Sequence, residues 1–257
     1  MKLQLLPSTF DENGFASARQ HLACFVVDDC LAIDAGSLAM ATSARQKAQI
    51  RDVVLTHAHL DHIAGLPLFV DDLFATLEEP IRIYAPKKVI RSLHEHIFNW
   101  EVYPRFSELS NENGIVLEYC PFEVGKPFQV KHLTLRAIEV NHKVPTVGFI
   151  ISDDTSSIAF SSDTSKMKGF WNEVNAEPRI DAILVECAFP NKLKNLAEVS
   201  HHLTPKLLKK EIAKLKKNCP VFVINLKPMY FEQIVSELSE LEIDNLKVLE
   251  VGKIYEW

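Results

Sequence analysis

The sequence has little glycine, few cysteines and no long apolar run. Only 8 of the 257 residues are glycine, which excludes collagen-like and glycine-rich low-complexity proteins. The longest apolar stretches fall far short of the roughly 18 residues that a membrane-spanning helix needs. Near the N-terminus, Pro7 interrupts the chain before the apolar core of a secretory signal peptide could form. We therefore expect neither a membrane-spanning segment nor secretion.

Cysteine spacing and net charge narrow the class of protein further. No two cysteines form a CxxC pair and several lie in apolar segments, so we expect all five to be reduced, buried and inert, as in a cytoplasmic protein: Cys24, Cys30, Cys120, Cys187 and Cys219. Lysine and arginine total 28 against 34 aspartates and glutamates, which gives a formal charge of −6. Because nucleic-acid binding usually needs a basic face, this charge argues mildly against a nucleic-acid partner.

What the sequence does contain is an ordered series of β-prone runs and helical patterns. A β-rich first half is followed by helices, and then by a second β-rich half with helices of its own. This order predicts an α/β protein in which two sheets pack face to face with helices outside, an αββα four-layer sandwich. We expect a single domain over residues 1–257, with a helical and aromatic insertion near residues 87–113.

A histidine-rich loop follows the strand predicted over Asp52–Thr56. Within six residues this loop carries four side chains that can bind metals: His57, His59, Asp61 and His62. Imidazole and carboxylate groups suit zinc, manganese or iron. So short a loop cannot aim all four at one tetrahedral ion without strain, and the cluster therefore predicts two adjacent ions. Asp61 is also expected to cap a helix that runs from His62 toward Glu79.

The H-x-H-x-D-H motif at the end of a β-branched strand resembles the metallo-β-lactamase superfamily, and the resemblance continues along the chain. It implies the αββα fold and a role for Asp34, whose carboxylate would orient the metal loop without ligating. It also implies two sets of ligands that share a bridging carboxylate. The implied ligands are His57, His59 and His142 for the first metal, Asp61 and His62 for the second, and Asp163 between them.

The last third of the chain resembles the class II cyclic-nucleotide phosphodiesterases. The matching segments read VECAFP over 185–190, HLTP over 202–205 and INLKP over 224–228. The resemblance implies hydrolysis of 3′,5′-cyclic nucleotides, cAMP or cGMP, to 5′-nucleotides by a hydroxide that bridges two divalent metals. Zinc is the first expectation for these metals, with manganese or iron as alternatives. The resemblance also implies a homodimer.

This chemistry gives three more residues a role. His202 would be the general acid that protonates the departing O3′, and Glu186 would orient its imidazole and raise its pKa. Lys227 would contact a phosphoryl oxygen of the substrate as a point charge, although its spacing fits a solvated surface lysine equally well. Asp61 counts among the catalytic residues as well as the metal ligands.

One position departs from the family pattern. Where the family normally has a histidine that completes the coordination of the second metal, this chain has Asn225. An amide oxygen is a weaker and harder ligand than imidazole, so Asn225 is a doubtful ligand. The second site should bind its ion less tightly or prefer a harder ion such as manganese. Alternatively, Asn225 points elsewhere and catalysis is impaired.

Two other functions stay open. The tRNA 3′-processing endoribonucleases share the order of glutamate and histidine, but they usually carry a basic Gly/Pro-rich arm. Residues 87–113 of this chain are instead aromatic and mixed in charge. In a different class, Asn225 would make the chain a non-catalytic, metal-containing protein that binds cyclic nucleotides.

Overall fold

The computed structural model describes residues 1–257. Its first half contains eight strands and five helices: β1 Lys2–Leu5, β2 Phe25–Val27, β3 Leu31–Ile33, α1 Leu38–Ala41, α2 Ala44–Gln49, β4 Asp52–Val54, α3 Leu60–Ile63, α4 Leu66–Leu73, β5 Ile81–Ala85, α5 Lys87–His96, β6 Ser110–Asn111, β7 Gly114–Ile115 and β8 Leu117–Pro121. The segment predicted as an insertion near residues 87–113 thus contains α5 and one strand of a small β6–β7 hairpin.

The second half alternates strands and helices more regularly. Its elements are β9 Pro127–Val130, β10 Leu133–Glu139, β11 Val147–Ser152, β12 Ser157–Phe160, α6 Lys168–Ala176, β13 Ala182–Glu186, α7 Lys194–Ser200, α8 Pro205–Ile212, β14 Val221–Ile224, α9 Phe231–Ser239, β15 Leu246–Val248 and β16 Ile254–Glu256. None of the helices in either half combines the length and the apolar character needed to cross a bilayer.

The strands form two seven-stranded sheets. The first has the order β16-β1-β2-β3-β4-β5-β8, and the second has the order β15-β14-β13-β12-β11-β10-β9. In each sheet one half is antiparallel and the other parallel: strands β3, β4, β5 and β8 run parallel in the first sheet, and strands β12 to β15 in the second. The short edge strand β16 and its neighbour β1 had no signal in the sequence pattern.

Three apolar clusters hold the layers together. The cluster between the sheets draws side chains from both, and the rings of Phe25 and Phe160 meet there edge to face at 4.9 Å. On the outer face of the first sheet, helix α4 buries Leu66, Phe69 and Val70. On the outer face of the second sheet, helix α6 buries Phe170, Trp171 and Val174. The predicted αββα sandwich is therefore confirmed.

The prediction of one continuous helix from His62 toward Glu79 is wrong, because the helix begins earlier and is interrupted. Helix α3 begins at Leu60 with His59 at the N-cap, so Asp61 lies in the first turn and not at the cap. The helix ends at Ile63 because Pro67 has no N–H to donate to the carbonyl four residues earlier. Helix α4 starts afresh at Leu66, and the N–H of Gly65 donates to the carbonyl oxygen of Ala35 at 2.9 Å.

Two of the five cysteines are less buried than predicted. Cys24, Cys187 and Cys219 are buried, whereas Cys30 and Cys120 are half-buried. Cys30 lies at the turn of the β2–β3 hairpin, and Cys120 lies on β8 at the edge of the first sheet, where one side of the strand has no neighbour. All five are free thiols, as predicted.

Gly36 lets the histidine loop pack against the β2–β3 hairpin. A Cβ atom at Gly36 would lie 2.1 Å from the carbonyl oxygen of Asp61 and 2.8 Å from the backbone nitrogen of Ala23. These two backbone groups hydrogen-bond to each other, Ala23 N to Asp61 O, at 2.9 Å. A side chain at position 36 would therefore push the loop away from the hairpin.

We expect Gly36→Ala to destabilise the protein and to loosen the loop. Overpacking of this kind costs about 1–3 kcal/mol, which corresponds to a fall in Tm of about 2–12 °C for a chain of this size. The control is Gly169→Ala in helix α6, where an added Cβ meets no atom within 4 Å. Thermal unfolding measures both variants, and equal Tm values for the two would contradict the close packing at Gly36.

Candidate active site

The candidate side chains lie at one end of the two sheets, where the parallel strands finish. In the first sheet, the register pairs Ile33 of β3 with Val54 of β4, so Asp34 and the histidine loop leave the sheet side by side. In the second sheet, Asp163, Glu186 and Asn225 follow or end the neighbouring strands β12, β13 and β14. The carboxyl ends of parallel strands are a frequent location for binding sites.

Left-handed backbone at four positions turns the chain into the site. Asp34, Ser162, His201 and Asn225 have φ values of 57°, 56°, 58° and 57°. Such conformations are uncommon outside glycine, although Asn, Asp and His tolerate them better than other residues, and they concentrate at functional sites. Each of these residues lies directly at or beside one of the predicted site residues.

The buried carboxylate of Asp34 organises the histidine loop. It accepts hydrogen bonds from the backbone N–H of Thr56 at 2.9 Å, from the Thr56 hydroxyl at 2.9–3.0 Å, and from Nδ1 of His62 at 2.6 Å. Thr56 Oγ1 also lies 2.9 Å from Nδ1 of His57. Since the single hydroxyl proton goes to Asp34, Nδ1 of His57 donates to Thr56 Oγ1. Asp34 thereby fixes the tautomers of both His57 and His62, which leaves their Nε2 atoms facing the site.

The residues fit a metal ion at His57. Its Nε2 atom is buried and has no hydrogen-bond partner in the protein, which would be costly unless something else binds it. His57, His59 and His142 each offer one ring nitrogen, and these atoms lie within 4.8 Å of one another. Three neutral imidazoles that converge on one point are a ligand set for zinc or a similar ion.

Burial keeps the three histidines neutral. It lowers the pKa of His57 well below its usual value, lowers the pKa of His59, and lowers the pKa of His142 to about 4. His142 is oriented by its Nδ1 atom, which lies 3.1 Å from the carbonyl oxygen of His201, while its Nε2 lies 3.2 Å from Nδ1 of His59. Lone pairs are therefore available for a metal at neutral pH.

A second group of side chains lies next to the three histidines. His57, His62 and Asp163 also place one ligand atom each within 4.8 Å of one another. His62 Nε2 lies 3.5 Å from Asp163 Oδ2. Burial alone would lower the pKa of His62, but the charges of Asp34 and Asp163 outweigh it and hold that pKa well above the usual value. Although burial acts to raise the pKa of Asp163, His62 holds it well below its usual value.

Asp61, Asn225 and Lys227 border this second group. The side-chain N–H of Asn225 donates to Asp163 Oδ1 at 2.6 Å. The ammonium of Lys227 lies 3.4 Å from Asp61 Oδ2, and both side chains are about one-third exposed, at 38% and 33%. Asn225 thus lies at the site, as its sequence position predicts, but it presents a donor to Asp163.

His202 and Glu186 form a buried pair beside the same cluster. His202 Nδ1 lies 2.7 Å from Glu186 Oε1, which also accepts the backbone N–H of Thr164 at 3.0 Å. The other oxygen, Oε2, accepts the N–H of Leu203 at 3.3 Å. Burial acts to lower the pKa of His202, but the carboxylate of Glu186 raises it above the usual value. Nδ1 thus donates to Glu186, and Nε2 is free to face the site.

The structure places the residues that the sequence analysis proposed around one site, but Asp61 and Asn225 belong to none of the groups of candidate metal ligands. It adds His202 to a third group of candidate metal ligands, with His142 and Asp163, so both a ligand role and an acid role are geometrically open to His202. Sequence reasoning missed the hydroxyl of Thr56 and the carbonyl of His201. Neither has a motif of its own, although a hydroxyl residue directly before the first histidine was a readable signal.

Comparison with known proteins supports a common family. Residues 28–222 match the family described as "Beta-lactamase superfamily domain". The probable 3′,5′-cyclic-nucleotide phosphodiesterase of Yersinia pestis is 27% identical over 228 residues, which cover 77% of this chain and 64% of that protein. The nuclear ribonuclease Z of Triticum aestivum is 32% identical over 108 residues, which cover 41% of this chain and 57% of that protein. Each alignment therefore spans less than two thirds of the relative.

A solved structure agrees with the fold. The metallo-beta-lactamase fold protein YhfI from Bacillus subtilis matches this chain with a TM-score of 0.76 and 16% identity, and the match covers 99% of each chain. An identity this low speaks for the fold alone. The family match, however, extends over most of the sequence and includes the histidine loop, Asp34, His142 and Asp163. The chain therefore belongs to the beta-lactamase superfamily and has the metallo-β-lactamase fold.

Proposed function

We propose that this protein is a metal-dependent phosphodiesterase that hydrolyses 3′,5′-cyclic nucleotides to 5′-nucleotides. The observation that carries the proposal is the buried His202–Glu186 pair, which faces the same site as the histidine cluster. A hydrolase with metal ligands alone could cleave many bonds. A protonated imidazole beside them suits a reaction whose leaving group is a poor one, such as the 3′-alkoxide of a ribose.

Metal ions would be held chiefly by His57, His59 and His142, with Asp163 beside them. We propose zinc as the native ion, with manganese or iron as alternatives, because three imidazoles suit all of these. A bound ion of this kind supplies an activated water and neutralises negative charge on the phosphoryl oxygens. All other tasks in the reaction fall to side chains of the protein.

His202 and Lys227 would act directly on the substrate. Water adds to phosphorus and releases one proton to solvent, the P–O3′ bond breaks, and Nε2 of His202 gives its proton to O3′ and later regains one from solvent. Glu186 accepts the Nδ1 proton of His202 in a hydrogen bond, so it holds the tautomer and orientation that the transfer needs. The partly exposed ammonium of Lys227 can reach a phosphoryl oxygen of a substrate that enters from solvent.

The same proposal covers partners and location. A cyclic nucleotide is a small anion, and its binding does not require an extended basic face, which agrees with a formal charge of −6. We propose a cytoplasmic homodimer that takes this small substrate and neither a nucleic acid nor a membrane.

A second candidate function is cleavage of precursor tRNA at its 3′ end. The identity of 32% to the nuclear ribonuclease Z of Triticum aestivum favours it. Both reactions break a phosphodiester bond, so the site residues alone do not separate them. The segment around α5 favours the small substrate, because it offers aromatic and mixed-charge side chains where an RNA-binding arm would need a basic surface.

A turnover assay tests the proposal. The metal-loaded protein should convert cAMP or cGMP to the 5′-monophosphate at roughly 1–10³ s⁻¹, measured by chromatography of the products, and should leave a precursor tRNA intact. His57→Ala serves as the inactive control. Cleavage of the tRNA alone would favour the second function. Tight binding of a cyclic nucleotide by calorimetry with no product would favour a binding protein instead.

A further inference from the structure

We infer that this protein works with a single metal ion, and that the Lys227 ammonium and the Asn225 amide occupy the place of the second ion. The inference rests on the proposed function for the chemistry at the site. Its evidence is the contacts that the carboxylates of Asp61 and Asp163 make with other side chains. Both carboxylates that a second ion would need are bonded to donors from the loop after β14.

Lys227 neutralises Asp61. Asp61 and His62 are the two side chains of the histidine loop that the family resemblance assigns to the second metal, and Asp61 Oδ2 lies 3.4 Å from the Lys227 ammonium. An ammonium and a divalent cation at the same carboxylate repel each other, and because both side chains are about one-third exposed, solvent reduces this repulsion without removing it. An ion that binds Oδ2 of Asp61 would compete with the Lys227 ammonium for that oxygen.

Asn225 binds the other carboxylate. Its amide N–H donates to Asp163 Oδ1 at 2.6 Å, while Asp163 Oδ2 faces Nε2 of His62 at 3.5 Å. Both oxygens of Asp163 are therefore directed at nitrogen atoms of the protein. To ligate an ion, Asn225 would have to rotate its amide and give up this bond, since only its oxygen can bind a cation.

The three-histidine set differs from the neighbouring set, and the difference determines which of the two binds a metal ion. It contains no carboxylate that a side-chain ammonium or amide could bind, and Nε2 of His57, which also belongs to the neighbouring set, has no partner among the protein's own atoms. In the neighbouring set, Lys227 and Asn225 each bind one carboxylate oxygen, of Asp61 and Asp163 respectively. The three-histidine set can thus bind a metal cation, whereas the neighbouring set already has the ammonium of Lys227 beside it.

This arrangement keeps a positive charge at Asp61, on the border of the site. Lys227 is 38% exposed, so its ammonium can contact Asp61 and a phosphoryl oxygen of the substrate together. It would supply one positive charge where a second metal would supply two. The role assigned to Lys227 from the sequence, contact with a phosphoryl oxygen, becomes part of the same function.

Metal stoichiometry tests the inference without any measurement of turnover. The metal-free protein is titrated with Zn²⁺ by calorimetry, and the zinc retained after gel filtration is determined by elemental analysis. We compare the wild type with Lys227→Met, with the double variant Asn225→His/Lys227→Met, and with Lys126→Met as the control. Lys126 forms an exposed ion pair with Glu123 at 2.6 Å outside the site. Histidine is suitable at position 225 because it tolerates the left-handed backbone found there.

We expect one tightly bound zinc per chain in the wild type and in Lys126→Met, and two in the double variant. Lys227→Met alone should strengthen binding of the second equivalent by about 10-fold or more, because the repulsion is gone. Two tight equivalents in the wild type would overturn the inference, as would a double variant that still binds one. Absence of cyclic-nucleotide hydrolysis would count against the proposed function only, since these stoichiometries do not depend on it.

Discussion

Replacement of His202 by alanine should slow the hydrolysis of cyclic nucleotides by about 10²–10⁴-fold, the usual contribution of a general acid. The reason is the leaving group, because an O3′ alkoxide departs slowly without a proton. The same variant should lose much less activity on a p-nitrophenyl phosphodiester, whose leaving group needs no proton. Steady-state kcat on both substrates measures the difference.

Metal content is the control for this variant. His202 also lies in a group with His142 and Asp163 that could hold an ion. If His202→Ala retains the zinc of the wild type and loses activity selectively, the acid role holds. Equal losses on both substrates together with a loss of zinc would mean that His202 is a ligand.

The pH profile gives a further readout of the same residue. Only the imidazolium form of His202 can give up a proton, so kcat falls as the pH rises through its pKa. Glu186 raises that pKa against the effect of burial, and the decline should therefore begin above about 6.5, the ordinary value for imidazole. Glu186→Gln should move the decline to lower pH, a shift that a purely structural role for Glu186 would not produce.

Replacement of His59 by alanine should remove the bound metal and the stability that comes with it. An ion that binds only the folded state, at 100 times its Kd, stabilises that state by about 2.7 kcal/mol, which corresponds to about 5–11 °C in Tm. His59 is only half-buried, so its loss should harm the metal-free fold little. Thermal unfolding with zinc and with a chelator, together with elemental analysis, measures the effect.

Two comparisons make this result specific. With chelator present, His59→Ala and the wild type should unfold at similar temperatures, because neither then holds an ion. His96→Ala, at a histidine that is 73% exposed, should behave as the wild type in both conditions. Unchanged zinc content in His59→Ala would show that the three-histidine set is not the metal site. Asp163→Ala should also lose metal, but its buried contact with His62 makes it the less clean variant.

The histidine loop could be predicted from the sequence because its chemistry lies in one short segment. His57 to His62 follow a strand of β-branched residues, and that spacing alone indicates a metal site. Asp163 and His142 are far from the loop along the chain, and no periodicity reports a distance in space. Only the resemblance to a family assigned them to the site.

Other features depend on tertiary contacts that the sequence does not encode locally. The hydrogen bond from Asn225 to Asp163 and the ion pair of Lys227 with Asp61 depend on rotamers and on the approach of two sheets. The asparagine at position 225 indicated a departure from the family pattern, but the sequence did not show which way its amide points. The break between α3 and α4 was readable from Pro67, and it was missed because the apolar spacing continues across it.

The first metal would be held from both sheets. His57 and His59 come from the loop after β4 in the first sheet, whereas His142 follows β10 in the second. An ion bound by all three is lost when either sheet opens separately. The free energy of metal binding is therefore added to the free energy of local unfolding of each sheet. Both sheets would gain protection against local opening together. The loaded protein would open as one cooperative unit, while in the metal-free chain the two sheets are coupled only by their apolar interface and by polar contacts such as that of Lys227 with Asp61.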